Sequence, residues 1–235
     1  MHLQPQKSDT IRTIKHISPL VLGLFFVSFS HLAFAQSPVA SQEFTVGDYA
    51  EVEVSTSGGR IEVIGKNTTK VAVNAIAYVN GRRSSNANLD NWFITIEEIQ
   101  GKIVAKAEKE SNMGWLRGGN NVSIAFEIET PVNTELNART SGGSVSIENL
   151  AGNQYARTSG GSMEANNIQG NVEMRTSGGA IRLENIEGKA EVATSGGSIR
   201  AKKVTQGLKA RTSGGSLNLQ EISGSLEART SGGSI

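Results

Sequence analysis

The chain contains no cysteine, and its three histidines, His2, His16 and His31, all lie near the N-terminus. Beyond His31 there is no imidazole and no thiol. Ser-His-Asp and Cys-His nucleophile systems and the usual zinc sites are therefore excluded. No disulfide can form. Aspartate is scarce as well: Asp9, Asp48 and Asp90 complete the set. Hard cations need several oxygen ligands, so the Asp-lined loops of calcium-binding Gly-rich repeats have no counterpart here. The sequence assigns no catalytic residue, no metal ligand and no cofactor site. Beyond Ala35 no apolar run is long enough to span a bilayer.

The segment 1–35 reads as an export address. Lys7, Arg12 and Lys15 precede an apolar run from Ile17 to about Phe29, and Ala33-Phe34-Ala35 supplies a small-x-small cleavage site before Gln36. The run is shorter than the roughly 20 residues of a membrane-spanning helix. No cysteine follows it to carry a lipid. The expected location is therefore outside the cytoplasm: periplasm, cell surface or extracellular. Removing this segment takes away three basic residues and one acidic residue and moves the formal charge from +1 to −1. Such a balance gives no reason to expect nucleic acid as a partner.

What the chain has in abundance is a repeat. Thr-Ser-Gly-Gly begins at Thr140, Thr158, Thr176, Thr194, Thr212 and Thr230, at a constant period of 18. With Thr140 as position one, positions six and eight are Val145 and Ile147, Met163 and Ala165, Ile181 and Leu183, Ile199 and Ala201, Leu217 and Leu219. Position eleven is Leu150, Ile168, Ile186, Val204 and Ile222, and positions fifteen and seventeen are mostly apolar, with Gln154 the exception. Period-two alternation of this kind predicts short strands with one buried face. A helix is excluded, because each Gly would cost about 1 kcal/mol in its interior. The Gly near position thirteen marks a second turn, displaced to Gly207 in the fourth unit.

Two strands per unit at a fixed period predict an all-β, single-stranded parallel β-helix, a β-solenoid, with 18-residue rungs and right-handed crossovers. A propeller blade needs roughly 40 or more residues, which excludes that architecture. The expected division is a signal peptide at 1–35, a linker at 36–43, an irregular β part at 44–135, and the regular repeats at 136–235. Residues 44–135 are expected to start the coil with longer excursions at Gly81–Asn91 and Glu110–Asn121, a short helix near Ala87–Asn91, and Trp92, Trp115 and the tyrosines as cap or filling. Thr56-Ser-Gly-Gly is a seventh copy of the motif, and its distance from Thr140 is not a multiple of the period. The last unit stops in mid-rung at Ile235. A truncated chain is the favoured expectation, and a genuine end would instead point to edge-to-edge self-association.

The order of early Ser-Gly-Gly, polar interruption, Glu127-Ile-Glu-Thr-Pro131 and tandem Ser-Gly-Gly-Ser-Val/Ile units resembles the bacterial "putative adhesin" β-solenoid family of secreted and envelope proteins. The resemblance covers about residues 44–235. It implies a non-enzymatic adhesin or surface scaffold, and it carries over no functional residue.

Among residue patterns, an outward Arg column at position eighteen, Arg139, Arg157, Arg175, Arg211 and Arg229, interrupted by Ala193, is the candidate binding ladder. It would suit an acidic surface glycan or another envelope component, as a polysaccharide-binding or envelope-stress-sensing module. The plainer reading is a solvated face balanced by Glu173, Glu191 and Glu227. The Thr and Ser columns could match ice or a polysaccharide, and turn chemistry explains them more simply. A carbohydrate-active enzyme needs clustered carboxylates, and these Glu stand in single columns. Asn67-Thr-Thr and Asn121-Val-Ser fit the glycosylation sequon, a pattern short enough to occur by chance.

Overall fold

The structure, a computed structural model, describes residues 37–110 and 121–235. The expected signal peptide and the core of the second excursion, with Trp115, lie outside the described residues. The irregular part holds β1 (Ala40–Thr45), β2 (Tyr49–Thr56), β3 (Ile61–Lys66), β4 (Lys70–Val79), β5 (Arg82–Arg83), β6 (Trp92–Ile99), β7 (Lys102–Lys109), β8 (Val122–Pro131) and β9 (Asn133–Thr140). The repeats follow as β10 (Val145–Ala151), β11 (Gln154–Arg157), β12 (Met163–Gln169), β13 (Val172–Arg175), β14 (Ile181–Glu187) and β15 (Ala190–Ala193). They continue through β16 (Ile199–Val204), β17 (Leu208–Arg211), β18 (Leu217–Ile222) and β19 (Leu226–Arg229). The fold is all-β, with no helix among the described residues.

In the repeats every long strand pairs in parallel with the long strand of the next unit, as Val145 with Met163, Met163 with Ile181, Ile181 with Ile199 and Ile199 with Leu217. The short strands do the same, from Gln154 with Val172 to Leu208 with Leu226. The apolar columns read from the sequence point inward and form one cluster. Burying each large aliphatic there contributes roughly 1.5–3 kcal/mol. Gln154, the polar intruder at position fifteen, is buried. Its Nε2 donates to the carbonyls of Thr134 and Gly152 at 2.8 and 3.0 Å, which stitches the first regular rung to the start of β9.

The corner of each rung is built by its Thr. Thr158 Oγ1 donates to the Gly143 carbonyl of the preceding rung at 2.9 Å and accepts from its own Gly161 N–H at 3.3 Å. Thr140, Thr176, Thr194, Thr212 and Thr230 repeat the pair of bonds. The second Gly of the tetrapeptide lies directly over its counterpart, so a Cβ at Gly161 would collide with the carbonyl of Gly143. A second bend, within the long strand, is made at position ten. Asn149, Asn167, Asn185, Lys203 and Glu221 all adopt φ between 54° and 57°.

The irregular part departs from expectation in three ways. First, it is mixed rather than purely parallel: β4 runs antiparallel to β1, β5 and β8, and β6 antiparallel to β7. The cause is local. Asn80-Gly81 and Gln100-Gly101 both have positive φ at each residue, the geometry of a two-residue hairpin turn that matches strand twist. Second, residues 40–43, expected as linker, form most of β1, held by β4. Third, no helix forms near Ala87–Asn91. The Asn88 side chain accepts from the Asp90 N–H at 3.0 Å, and local bonding of this kind competes with a helix. The expected boundary at 135/136 falls inside β9. Tyr49 is exposed and Tyr78 and Tyr155 are half-buried, whereas Phe126 is fully buried in the core.

The early Thr56 copy takes a place in the stack that its spacing hid. Thr56 pairs with Thr140 and Ile61 with Val145, so β2 and β3 lie one rung below β9 and β10. On their other side, β7 pairs with β2 and β8 with β3. The order of rungs is thus β7/β8, β2/β3, β9/β10 and onward. From β1, which lies beyond the first rung beside β4, the chain passes to the second rung with β2 and β3. It returns to β4, builds the first rung with β7 and β8, and then passes over to the third. The long, out-of-phase interval from Thr56 to Thr140 is what this detour requires.

Candidate functional site

The Arg column is in register. Arg139 faces Arg157, Arg157 faces Arg175, and Arg211 faces Arg229, with Ala193 between. All five are exposed. Stacked cations one strand apart repel, and here carboxylates at position sixteen intervene. Arg175 Nε donates to Glu173 at 2.8 Å and its Nη2 to Glu191 at 3.3 Å. Glu227 takes Arg211 at 2.7 Å and Arg229 at 3.3 Å, and Lys209 reaches Glu191 at 3.3 Å. The hydrogen bond and charge of Glu173 hold the Arg175 guanidinium above its ordinary pKa. The hydrogen bond from Arg211 holds the Glu227 carboxyl below the usual range. Arg139 lies over the Tyr155 ring, 5.6 Å from its centroid, a contact of about 0.5–1 kcal/mol at an exposed site. Arg157 alone of the five has no ion pair or ring contact among the described residues. The ladder is largely a self-neutralised network.

Beside it, on the outer side of β11, β13, β15, β17 and β19, runs a groove of about 570 Å³. Tyr155, Glu173, Glu191, Lys189 and Lys209 line it, with Asn153 and Asn171 at the adjoining turn. The two amides are joined, Asn171 Nδ2 donating to Asn153 Oδ1 at 3.1 Å. A second depression, about 400 Å³, lies on the other ladder of strands around Ala180, Arg182 and Arg200. The Thr column offers no flat hydroxyl array, since Thr140, Thr158, Thr176, Thr194 and Thr212 are buried and their hydroxyls are committed to the corner.

No protein-family model matches the chain. No curated protein matches it in sequence. Solved structures do align with it. A "putative adhesin" from Bacteroides fragilis shares 13% identity over 83% of this chain and 96% of its own, with a TM-score of 0.45. A second "putative adhesin", from Parabacteroides distasonis, shares 14% over 83% and 96%, with a TM-score of 0.39. A "putative lipid binding protein" from the same species shares 20% over 85% and 97%, with a TM-score of 0.33. Likeness of this order carries no weight for function, and the pairing described above stands on its own register.

Sequence reasoning located the Arg column and its Glu partners. It missed the groove, because a groove follows from the relative height of columns at positions fourteen and sixteen rather than from residue types. It also passed over position ten, where three Asn in succession were the available signal for a left-handed backbone.

Proposed function

We propose that the chain is a right-handed parallel β-helix, exported from the cell, that serves as a non-enzymatic adhesive or scaffolding surface. The observation that carries this reading is the uninterrupted parallel register from unit to unit, which sets equivalent outward positions about 4.8 Å apart along the stack. A periodic face of that kind suits contact with a polymeric surface. The position-sixteen carboxylates Glu173 and Glu191, opposite each other on β13 and β15, and Glu227 are engaged by Arg and Lys, which supports binding over hydrolysis. Further support comes from the composition, whose export-type leader is followed by a chain without His or Cys.

The groove beside the Arg column favours a more specific second reading, contact with a polysaccharide strand along the axis, with Tyr155 as a stacking platform. Both readings are tested by incubating the purified protein with insoluble glycans and assaying the pellet for bound protein and the supernatant for reducing ends. Retention without release is expected. Release that disappears in a Glu173→Gln or Glu191→Gln variant would overturn the non-enzymatic reading.

A further inference from the structure

The depression around Ala180 combines three departures from the repeat. The first is a missing hydroxyl. Position five is Ser in the regular rungs, at Ser144, Ser162, Ser198, Ser216 and Ser234, and Ala only at Ala180. The hydroxyl has a structural use there. The backbone N–H groups of Ala180, Ser216 and Ser234 donate to the Ser Oγ one rung below, at 3.3, 3.1 and 3.3 Å. Ser198 stands above Ala180, which has no hydroxyl to offer. Its N–H therefore has no such partner within reach, whereas the Ser162 N–H, which also makes no such bond, stands over the Ser144 hydroxyl. The Ser198 N–H lies at the wall of an open depression of about 400 Å³.

The second departure is charge. Arg182 and Arg200 sit at position seven on β14 and β16, face each other in register, and are both exposed. Like charges directly opposite on neighbouring strands destabilise a sheet. At position eighteen, Arg175, Arg211 and Arg229 relieve this with Glu bridges, and Arg139 lies over the Tyr155 ring. Arg182 and Arg200, like Arg157, have neither a ring contact nor a carboxylate oxygen within 4.0 Å among the described residues. The third departure is access. Both arginines line the same depression as Ala180 and Ser198, and Glu164 lines it one rung away without bridging to Arg182.

We propose that this depression is an oxyanion site that takes the acidic group, carboxylate or sulfate, of an anionic glycan. The two guanidinium groups supply charge-assisted donors in a planar fork. The Ser198 N–H and the hydroxyls of Ser162 and Ser198 supply neutral donors, in the manner of a backbone anion nest. The Ala180 side chain leaves the space that a Ser hydroxyl fills elsewhere. The site is distinct from the groove and does not depend on the adhesive reading.

The test is titration calorimetry at low ionic strength with three probes: a hexamer of galacturonic acid, a sulfated oligosaccharide of equal length, and a neutral glucan hexamer. Binding of one or both acidic probes and not of the neutral one is expected, and the preferred acidic probe tells carboxylate from sulfate. Arg182→Gln with Arg200→Gln should weaken binding at least tenfold. Ala180→Ser restores the residue of the other rungs, so it folds, and it should weaken binding severalfold by filling the space and satisfying the Ser198 N–H. Glu164→Gln should strengthen it. No binding of either acidic probe overturns the proposal. So does an affinity that Ala180→Ser leaves unchanged, or one abolished equally by Arg157→Gln with Arg211→Gln.

Discussion

The two glycines of each Thr-Ser-Gly-Gly look equivalent in sequence and should respond to a methyl group in opposite ways. At Gly179, the second of its pair, a Cβ would be driven into the carbonyl of Gly161 and would stand 2.6 Å from the Ser162 nitrogen. These are backbone atoms of the adjoining rung, held by their own ladder, and they cannot rotate aside. Admitting the methyl means prising two rungs apart at the corner. That weakens the bond from Thr176 Oγ1 to the Gly161 carbonyl, 3.0 Å, and the one from the Gly179 N–H to Thr176, 3.3 Å. Two hydrogen bonds at about 1 kcal/mol each, with about 1–3 kcal/mol of overpacking, give a destabilisation of about 3–5 kcal/mol for Gly179→Ala. At Gly178 the nearest atom to a new Cβ is the Gly160 carbonyl oxygen at 3.5 Å, an ordinary contact. Gly178→Ala should therefore be neutral or stabilising by up to about 1 kcal/mol, through the lower entropy of the unfolded chain. Urea unfolding followed by circular dichroism measures both. Equal effects from the two variants, or a loss below about 1 kcal/mol at Gly179, would refute the stacking of corner on corner.

Three further outcomes follow from the same geometry. Lys203 and Glu221 hold a left-handed φ that Asn tolerates better, so Lys203→Asn and Glu221→Asn should each raise stability by about 0.5–1 kcal/mol, and Asn185→Lys should lower it, in the same urea assay. Thr176→Val keeps the shape but leaves the Gly161 carbonyl and the Gly179 N–H without their partner; a loss of about 1–3 kcal/mol is expected, and an unchanged midpoint would contradict the role given to the column. The Glu227 carboxyl is held below its ordinary pKa in the folded chain, so its contribution is present above the unfolded value and lost as pH falls through the folded one. Carboxyl NMR should place its titration below that of an unpaired Glu, and Arg211→Gln should move it upward.

The regular rungs were legible because each structural requirement there falls on a residue type. The alternation of Val145, Ile147 and Leu150 with polar neighbours marks the buried face, and Thr-Ser-Gly-Gly marks the corner. The stack order of the first rungs was not legible, since the pairing of Thr56 with Thr140 depends on a detour through β4 to β8 that no local pattern records. The antiparallel strands were half legible: Asn80-Gly81 is a strong hairpin signal, whereas Gln100-Gly101 adopts the same turn with a residue that rarely announces it. For function, the sequence drew attention to the long Arg column, whose charge is mostly answered by Glu173, Glu191 and Glu227. The pair Arg182 and Arg200, also without a bridging carboxylate among the described residues, became conspicuous only when that lack and the gap at Ala180 were seen together.

The rung order is the central claim, and the absence of cysteine makes it directly measurable with paired spin labels at engineered Cys residues. Ser55, Arg139, Arg157, Arg175, Ala193 and Arg211 stand on successive rungs, and Lys106 lies one rung below Ser55. At about 4.8 Å per rung, labels at Ser55 and Arg211 should be about 24 Å apart, and labels at Lys106 and Arg211 about 29 Å. The pair closer in sequence is thus predicted to be the more distant in space, by one rung. A Lys106–Arg211 distance shorter than the Ser55–Arg211 distance would contradict the account.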